Sequence, residues 1–280
     1  MLPPPIVLDP LLSLWLQEDI GRGDRTTEGL SLKQIGNARW IAKERGIIAG
    51  LPIAARVFQL LSDRTQFSPL IQEGNQVQSG QIIAKIEAPL DVLLMGERVA
   101  LNLAMRLSGI ATLTRKYTEV IADLSTQLVD TRKTTPGLRI LEKYATKIGG
   151  AKNHRLGLDD AIMIKDNHIQ AAGNIKTAIT KIRQTMPYPL TIEVETTTLQ
   201  QVTEALNYGA DIIMLDNMDL TQMKQAVQII HNNNIKVKIE ASGNITLANI
   251  RQVAETGVDY ISTSAPITRS PWLDLSMRIT

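Results

Sequence analysis

The segment TIEVETTTLQQVTEALNYGADIIMLDN (191–217) contains two strand-like runs with a helical pattern between them. The runs TIEVE (191–195) and DIIML (211–215) are rich in β-branched residues, and QQVTEALNYG (200–209) repeats its apolar residues at helical spacing. A strand, a helix and a second strand in this order form a βαβ unit, whose strands lie parallel in one sheet. The stretch therefore predicts an α/β fold.

The same alternation continues through the second half of the chain. Four more strand-like runs are QLVDT (127–131), AIMIK (161–165), KVKIE (236–240) and DYIST (259–263). Several of the runs are apolar on both faces, as buried parallel strands are. Together with the first two, they predict a parallel α/β barrel that is irregular or short of the usual eight strands. A doubly wound sheet is the alternative, but no glycine-rich dinucleotide fingerprint follows any run.

The first hundred residues have a different order of patterns, with short strand-like runs between turns and one helical pattern at 51–61. This combination predicts a small N-terminal α+β domain. We place that domain at 1–109 and the barrel at 110–269, and we expect the tail 270–280 to pack back on the N-terminal domain.

A long helical stretch begins at Asp91 and reads DVLLMGERVALNLAMRLSGIATLTRKYTEVIADL. It is apolar on most faces, so we expect it to be buried on most faces. Arg98, Asn102 and Arg106 are the exceptions, and their spacing of four residues places them in one stripe. The stripe is either a solvated edge, or it directs Arg98 into a binding site or a partner subunit.

Composition excludes several classes of protein. Of 280 residues, 44% are hydrophobic and 21% charged, which is enough for a large core and excludes a disordered chain. The 30 basic and 28 acidic side chains leave a net charge of +2, too small for a general nucleic-acid binder. The chain has no cysteine, so disulfides and a cysteine nucleophile are excluded. The opening MLPPPIVLDP lacks a basic region, and no run approaches the ~18 apolar residues of a membrane span. We expect a soluble, cytoplasmic protein that binds neither nucleic acid nor membrane.

Polar side chains concentrate at the C-terminal ends of the predicted strands, whereas the N-terminal ends carry almost none. The C-terminal set is Asp130, Thr131, Arg132, Lys133, Lys165, Glu193, Glu195, Asp216, Glu240, Ser242, Thr263 and Ser264. In a parallel barrel these ends line one open face, where active sites lie. The asymmetry predicts an enzyme.

Basic residues cluster between 132 and 155, where only one acidic residue interrupts them. They are Arg132, Lys133, Arg139, Lys143, Lys147, Lys152 and Arg155, with His154 as a further possible cation and Lys165 following. Lys143 and Lys147 fit an ordinary solvated helix face. The others converge on the barrel mouth, where like charges repel each other unless an anion lies between them. Arginines favour planar carboxylates or phosphates, so the cluster predicts a small polyanion as ligand.

Loops of small residues follow the last two strands, at 241–244 and 263–266, and each leads toward a helix, the first expected near Thr246. Backbone amides in such loops, together with a helix N-terminus, bind phosphate. Glu195 and Asp216 end neighbouring strands opposite the basic cluster. They either pair with the basic residues or bind ribose hydroxyls or a phosphate-bound Mg²⁺.

Several motifs have distinctive spacing. They are EDIGRGDRTT (18–27), GERVALNLAMRLSGIATLT (96–114), DTRKTTPGLRILEKYATKIGGAKNHRLGLDDAIMIKDNH (130–168), IEVET (192–196), IMLDN (213–217) and EASGNI (240–245). Together they resemble the quinolinate phosphoribosyltransferase family, also called nicotinate-nucleotide pyrophosphorylase (carboxylating). The resemblance implies a type II phosphoribosyltransferase with an N-terminal α+β sandwich domain and an open, irregular parallel α/β barrel. The chain departs from many members of that family in the last loop, which here reads Ser264-Ala265-Pro266.

The resemblance also implies the reaction. Members of the family transfer phosphoribosyl from phosphoribosyl pyrophosphate to quinolinate, using Mg²⁺, and release nicotinate mononucleotide, pyrophosphate and CO₂ in de novo NAD biosynthesis. It implies an obligate homodimer or homohexamer, in which Arg98 enters the active site of the neighbouring subunit.

By the same resemblance, the basic residues hold the two quinolinate carboxylates, Lys133 reaches the pyrophosphate side, and the two small-residue loops hold the 5′-phosphate. The implied substrate-binding residues are Arg98, Thr131, Arg132, Lys133, His154, Arg155, Lys165, Glu195, Asp216, Ser242, Gly243, Asn244, Thr263, Ser264 and Ala265. The implied catalytic residues among them are Lys133, Lys165, Glu195 and Asp216. Glu195 and Asp216 are also the implied residues near the metal.

Two alternatives remain at this point. One is a phosphoribosyltransferase of the same fold that acts on a different base, such as the molybdenum-associated relatives. The other is a barrel lyase that uses Lys165 to form a Schiff base, since a lysine at a strand end suits that chemistry. A purely structural role would leave the polar strand ends unexplained.

Overall fold

The computed structural model describes residues 2–233 and 236–280. Its helices, in chain order, are α1 (Pro5–Ile20), α2 (Arg25–Leu30), α3 (Leu51–Leu61), α4 (Leu90–Val120), α5 (Arg139–Ile148), α6 (Asp166–Ala172), α7 (Ile175–Thr185), α8 (Leu199–Asn207), α9 (Leu220–Asn232), α10 (Ile250–Ala254) and α11 (Ala265–Thr268). Its strands are β1 (Ile35–Ala42), β2 (Gly46–Ile47), β3 (Gln66–Pro69), β4 (Gln76–Val77), β5 (Ile82–Pro89), β6 (Gln127–Val129), β7 (Ile162–Ile164), β8 (Ile192–Thr196), β9 (Ile212–Asp216), β10 (Lys238–Ser242), β11 (Tyr260–Ser262) and β12 (Leu275–Ile279).

The chain forms two compact units, and the first consists of Met1–Arg115, Thr135–Gly150 and Arg269–Thr280. Its main sheet is antiparallel in the order β12-β1-β5-β3, so the strand in the tail pairs with the first strand of the chain. Trp40 of β1 is fully buried and meets Phe58 of α3 edge-on, with ring centroids 6.4 Å apart. These aromatic contacts pack α3 against one face of the sheet.

Glu73 supplies the N-terminal cap of α3, because the residue at the cap position is Gly50, which has no side chain to do so. The Glu73 carboxylate accepts hydrogen bonds from the backbone N–H groups of Gly50 and Leu51, the latter at 2.8 Å. Burial raises the pKa of Glu73, and the two backbone hydrogen bonds oppose that rise. The cap therefore connects a distant loop to the start of the helix.

Replacing Glu73 by alanine should lower the free energy of unfolding by about 1–2 kcal/mol, because two helix N–H groups lose their acceptor. Glu73→Gln keeps an acceptor oxygen and should cost less. Urea unfolding of the two variants and of the wild type checks this order. Equal stability of all three proteins would show that the cap does not stabilise the unit.

The second unit consists of Lys116–Thr134 and Ala151–Thr268, and it contains a six-stranded parallel sheet in the order β6-β11-β10-β9-β8-β7. Each of the six strand-like runs in the sequence forms one of these strands. The order follows the chain around the sheet, with β6 and β7 at its two edges, as in an open barrel. The predicted α/β fold is confirmed, whereas the domain boundaries stay a prediction.

Strand register places the polar strand ends on one face of this sheet. Glu195 and Glu240 are both aligned with Met214, and Asp216 is aligned with Ser242. Residues two apart on a strand point to the same side, and aligned residues on neighbouring strands share that side. This face therefore carries Met163, Lys165, Glu193, Glu195, Met214, Asp216, Glu240, Ser242 and Ser262.

Two local expectations are wrong. The helix after β10 begins at Ile250 rather than near Thr246, because a turn follows the strand first. Lys143 is buried, with 1% of its surface exposed, because α5 is buried from Leu141 to Thr146; only Lys147 lies on a solvated face. Among the described residues, no helix combines the length and hydropathy needed to cross a membrane.

Candidate functional site

A cavity of about 560 Å³ opens over the polar face of the parallel sheet. Its lining consists of Thr131, Arg132, Lys133, His154, Arg155, Met163, Lys165, Glu195, Met214, Asp216, Asn217, Glu240, Ser242, Gly243, Asn244 and Ser262. Every one of these residues belongs to the second unit. Most of the residues predicted from the strand ends are therefore brought together around one space.

Arg132 and Arg155 form a cationic side of this cavity. Within the described part of the chain, the Nη1 atom of Arg132 is buried and has no hydrogen-bond partner. Burial, together with the nearby charge of Arg132, lowers the pKa of Arg155, whereas Glu193 opposes this change. Two neighbouring guanidinium groups repel each other. An anion between them relieves this repulsion and accepts from the unused buried donor.

Asp130, which directly follows β6, fixes the backbone next to Arg155. Its carboxylate accepts from the His154 backbone N–H at 2.9 Å and from the Asn153 side-chain amide at 2.7 Å. The Nη1 atom of Arg155 also donates to the carbonyl oxygen of Ala161 at 2.8 Å. Arg155 is therefore oriented by the protein before any ligand arrives.

His154 lies between two glutamates that project from the sheet. Its Nε2 atom is 3.2 Å from Glu193 Oε2 and 3.5 Å from Glu240 Oε2, while its Nδ1 atom lies 2.8 Å from the Arg155 backbone nitrogen. Burial acts to lower the pKa of His154, but the two carboxylates outweigh it and raise the pKa to about 10. Burial likewise raises the pKa of Glu193. The ring is therefore a cation at neutral pH, and it directs its Nε2–H toward the two carboxylates.

The acidic residues at the cavity are already engaged with neighbours. Lys165 Nζ donates to Glu195 Oε2 at 2.9 Å, and the Asn217 side-chain amide donates to Asp216 Oδ2 at 2.8 Å. A lysine Nζ held by a carboxylate must leave that contact before it can attack a carbonyl carbon. The geometry therefore gives no support to a Schiff-base lyase.

The loop after β10 is held tightly against Asn217. The Asn244 side-chain amide donates to Asn217 Oδ1 at 3.0 Å, and the Asn217 backbone N–H donates to the Ser242 carbonyl at 2.9 Å. Gly243 has φ +93°, and a Cβ atom there would lie 2.2 Å from Asn217 Oδ1. Only glycine fits this position, and the contact brings the loop close to Asp216.

The second predicted phosphate loop has a different environment. Thr263, Ser264 and Ala265 are not among the residues that line the cavity, whereas Ser262 is. The Thr263 hydroxyl accepts from the Ala265 backbone N–H at 3.2 Å and contacts the Ile245 carbonyl at 3.4 Å. It serves the conformation of its own loop. At the other side, Lys133 is exposed, and its backbone N–H donates to the Thr131 hydroxyl at 3.0 Å.

Arg98 belongs to the first unit and lines another cavity of about 560 Å³, together with Asn102 and Arg106. Arg106 donates to the fully buried carboxylate of Glu142 at 2.8 Å, so this member of the polar stripe is structural. Arg98 is exposed. Arg98 is not among the described residues that line the sheet cavity.

Sequence reasoning missed Asn217 as part of the site framework, and it gave Asp130, Glu193 and Glu240 no role beyond their position at strand ends. Asn217 follows Asp216 directly and has a left-handed backbone with φ 54°, a conformation that asparagine tolerates. The Asp-Asn pair after a strand was the available signal. It marks the turn between β9 and α9, which contacts the loop after β10.

Comparisons with known proteins agree on one family. Residues 110–278 match the family model described as quinolinate phosphoribosyl transferase, C-terminal domain, and residues 24–108 match its N-terminal domain. The chain is 61% identical over 278 residues to a Synechocystis sp. protein named probable nicotinate-nucleotide pyrophosphorylase (carboxylating), with 99% of this chain and 94% of the relative covered. A protein of the same name from Bacillus subtilis is 44% identical, with 98% and 93% covered. The crystal structure of NadC from Streptococcus pyogenes has a TM-score of 0.95 at 39% identity, covering 100% of this chain and 99% of that one.

Proposed function

The chain belongs to the quinolinate phosphoribosyltransferase family, and we propose that it transfers phosphoribosyl from phosphoribosyl pyrophosphate to quinolinate with loss of CO₂. The products are nicotinate mononucleotide, pyrophosphate and CO₂, and the reaction serves NAD biosynthesis. The observation that carries this proposal is the buried, unpartnered Nη1 of Arg132 beside Arg155, within the described residues. A dicarboxylate supplies the acceptor that Arg132 Nη1 lacks and neutralises the charge of both guanidinium groups.

The residues support a division of the cavity into two parts. Arg132, Arg155 and Lys165 hold the pyridine dicarboxylate by charge. The loop Ser242–Asn244 offers backbone amides and small side chains to the 5′-phosphate, while Lys133 is exposed at the cavity edge and reaches the pyrophosphate. Binding two anions side by side against their mutual repulsion is a large part of the catalytic task.

Glu195 and Asp216 face the ribose in this arrangement. Positive charge develops at the anomeric carbon as pyrophosphate leaves, and carboxylates stabilise that charge. The pyridine nitrogen then forms the new bond to that carbon. The ring becomes cationic and accepts the electron pair released when the neighbouring carboxylate leaves as CO₂. A proton then replaces the lost carboxylate on that carbon.

We propose Mg²⁺ as the metal that accompanies phosphoribosyl pyrophosphate. Glu195 and Asp216 fit it, because both supply carboxylate oxygens and each of their contacts with Lys165 and Asn217 uses one oxygen. When bound, the ion neutralises charge on the leaving pyrophosphate.

We also propose a homo-oligomer with shared active sites in a cytoplasmic setting. Arg98 supports it, since this exposed arginine lines a cavity of the first unit and is not among the residues that line the sheet cavity. Arg98→Ala and Lys165→Ala proteins should each be nearly inactive, and mixing their subunits should restore activity in the hybrid. Verified hybrids that remain inactive would exclude sharing, whereas a fully active Arg98→Ala protein would remove Arg98 from the site.

One incubation tests the reaction itself. The protein is given phosphoribosyl pyrophosphate, Mg²⁺ and either quinolinate or nicotinate. Nicotinate mononucleotide and CO₂ should form with quinolinate alone. Absence of product with quinolinate would leave the family and fold standing and would point to the related phosphoribosyltransferase that uses a different base.

A further inference from the structure

The loop after β10 is a thin wall between two cavities. Asn217, Gly243 and Asn244 line the sheet cavity, and they also line a second cavity of about 340 Å³ beside α9 and α10. Asn249 and Gln252 line only the second of these cavities. A loop with a cavity on each side gains little from packing, so its conformation depends on hydrogen bonds.

A chain of three asparagine side chains supplies these hydrogen bonds. The Asn217 amide donates to Asp216 Oδ2 at 2.8 Å, and the Asn244 amide donates to Asn217 Oδ1 at 3.0 Å. The Asn249 amide donates to the Asn244 carbonyl oxygen at 3.1 Å, while Asn249 Oδ1 accepts from the Thr246 backbone N–H at 2.7 Å. The chain therefore extends from a carboxylate of the site to a residue outside the lining of the sheet cavity.

The two ends of this chain fix the direction in which the amides point. A carboxylate only accepts hydrogen bonds, so the amino group of Asn217 faces Asp216 and its Oδ1 faces Asn244. A backbone N–H only donates, so Oδ1 of Asn249 faces Thr246 and its amino group faces the Asn244 carbonyl. Neither Asn217 nor Asn249 can reverse its amide without losing two hydrogen bonds.

The contact with Asn249 also sets the direction of the backbone donors in the loop. Within the described residues, no hydrogen bond uses the backbone N–H of Gly243, Asn244 or Ile245. The peptide bond between Asn244 and Ile245 is trans, so its N–H points away from the carbonyl oxygen that Asn249 holds. Gly243 and Asn244 have φ of +93° and +51°, and successive N–H groups in such turns form an anion-binding concavity.

We propose that Asn249 is a positioning residue for the 5′-phosphate of phosphoribosyl pyrophosphate, because it turns the Asn244 carbonyl away from the anion and leaves the loop N–H groups facing it. The inference rests on the proposed function for the identity of that ligand. Asn249 acts through the loop rather than by contact with the substrate. Asn217 supports the loop from the β9 side, and its link to Asp216 keeps the carboxylate that faces the ribose at a fixed distance from the phosphate loop.

Three variants separate the proposed role from effects of charge and of stability. Asn249→Asp keeps the acceptor for the Thr246 N–H but replaces the donor to Asn244 by a carboxylate oxygen, which repels that carbonyl. Asn249→Ala removes both contacts without adding charge. Gln252→Glu is the matched control, because it adds the same charge at the same second cavity, and the Gln252 side chain makes no hydrogen bond within the described residues.

Isothermal titration with ribose 5-phosphate measures binding of the phosphate end without quinolinate. Both Asn249 variants should weaken this binding about tenfold, the effect of losing one hydrogen bond, and Gln252→Glu should weaken it less than about twofold. Steady-state kinetics should show the same rise in KM for phosphoribosyl pyrophosphate, with kcat and KM for quinolinate changed less than about twofold. Urea unfolding should leave Asn249→Asp close to the wild type, since it keeps the Thr246 contact, so lost stability would not explain its weaker binding.

The opposite outcomes are equally specific. Unchanged affinity for ribose 5-phosphate in Asn249→Ala, an equal loss in Gln252→Glu and Asn249→Asp, or an equal rise of both KM values would overturn the proposal. A wild type that does not bind ribose 5-phosphate would also overturn it, because the loop would then hold no phosphate. A wild type that binds ribose 5-phosphate through Asn249 but does not convert quinolinate would refute the proposed function and leave the role of Asn249 standing.

Discussion

Replacement of Arg132 by alanine should raise KM for quinolinate about 100-fold while the protein remains folded. The side chain carries a buried Nη1 donor that has no hydrogen-bond partner in the described part of the protein, so its removal breaks no hydrogen bond made by that atom in the free enzyme. One charge-assisted hydrogen bond to a carboxylate contributes about 1.5–3 kcal/mol, and a guanidinium can form two to one carboxylate. Steady-state kinetics with each substrate varied in turn measure the effect.

Arg183→Ala is the matched control for this variant. Arg183 belongs to the same unit, but it pairs with Asp211 at 2.7 Å and does not line the cavity. We expect its removal to leave both KM values unchanged. If Arg132→Ala also left KM for quinolinate unchanged, Arg132 would have no place in the dicarboxylate site. A rise confined to phosphoribosyl pyrophosphate would place it at the other substrate.

Replacement of Gly243 by alanine should have the second large effect, a loss of affinity for phosphoribosyl pyrophosphate of about tenfold or more together with a loss of stability. The new Cβ would lie 2.2 Å from Asn217 Oδ1 and 2.9 Å from the Asn217 backbone nitrogen, so the loop must move. Overpacking of this kind costs about 1–3 kcal/mol, and a non-glycine residue at positive φ adds about 1 kcal/mol. The movement also breaks the hydrogen bond between Asn244 and Asn217.

The Gly209→Ala variant separates the cost of a non-glycine residue at positive φ from the steric clash with Asn217. Gly209 has φ +80°, but a Cβ there meets nothing within 4 Å. The Gly209→Ala variant should therefore lose only the stability that a non-glycine residue at positive φ costs, and it should keep its affinity for phosphoribosyl pyrophosphate. Urea unfolding and isothermal titration of both variants make the comparison. If the two variants behaved alike, the contact with Asn217 would not govern the phosphate loop.

The parallel sheet was predictable because its sequence signal is local. Each of the six strands is a short run rich in β-branched residues, and the helix between β8 and β9 has a clear apolar period. The polar strand ends followed from the geometry of parallel strands, since those ends meet at one edge. Strand alternation then places Glu195 and Asp216 on the face of the cavity, as the pattern predicts.

What the sequence could not provide depends on contacts between distant residues. The burial of Lys143 and the contacts of the Thr263 hydroxyl depend on residues that are distant in the sequence. They therefore produce no periodic pattern in the sequence. The same holds for the Nε2 atom of His154, which is placed by glutamates from two strands. The helix after β10 was expected too early because small polar residues such as Asn244 serve equally as turn residues and as helix caps. Family resemblance supplied the roles of individual residues, and those roles stay predictions.

The pairing of β1 with β12 has a consequence for how the protein folds during synthesis. Residues 38–42 of β1 align with 275–279 of β12, so the ribosome must translate almost the entire chain between these two partners. Until then, one edge of β1 exposes unpaired backbone groups, and such edges can recruit strands from other chains. Pairing between residues so far apart in sequence also makes folding slow. We expect the nascent protein to depend on chaperones until β12 emerges and closes the sheet, even though the parallel sheet is complete at β11.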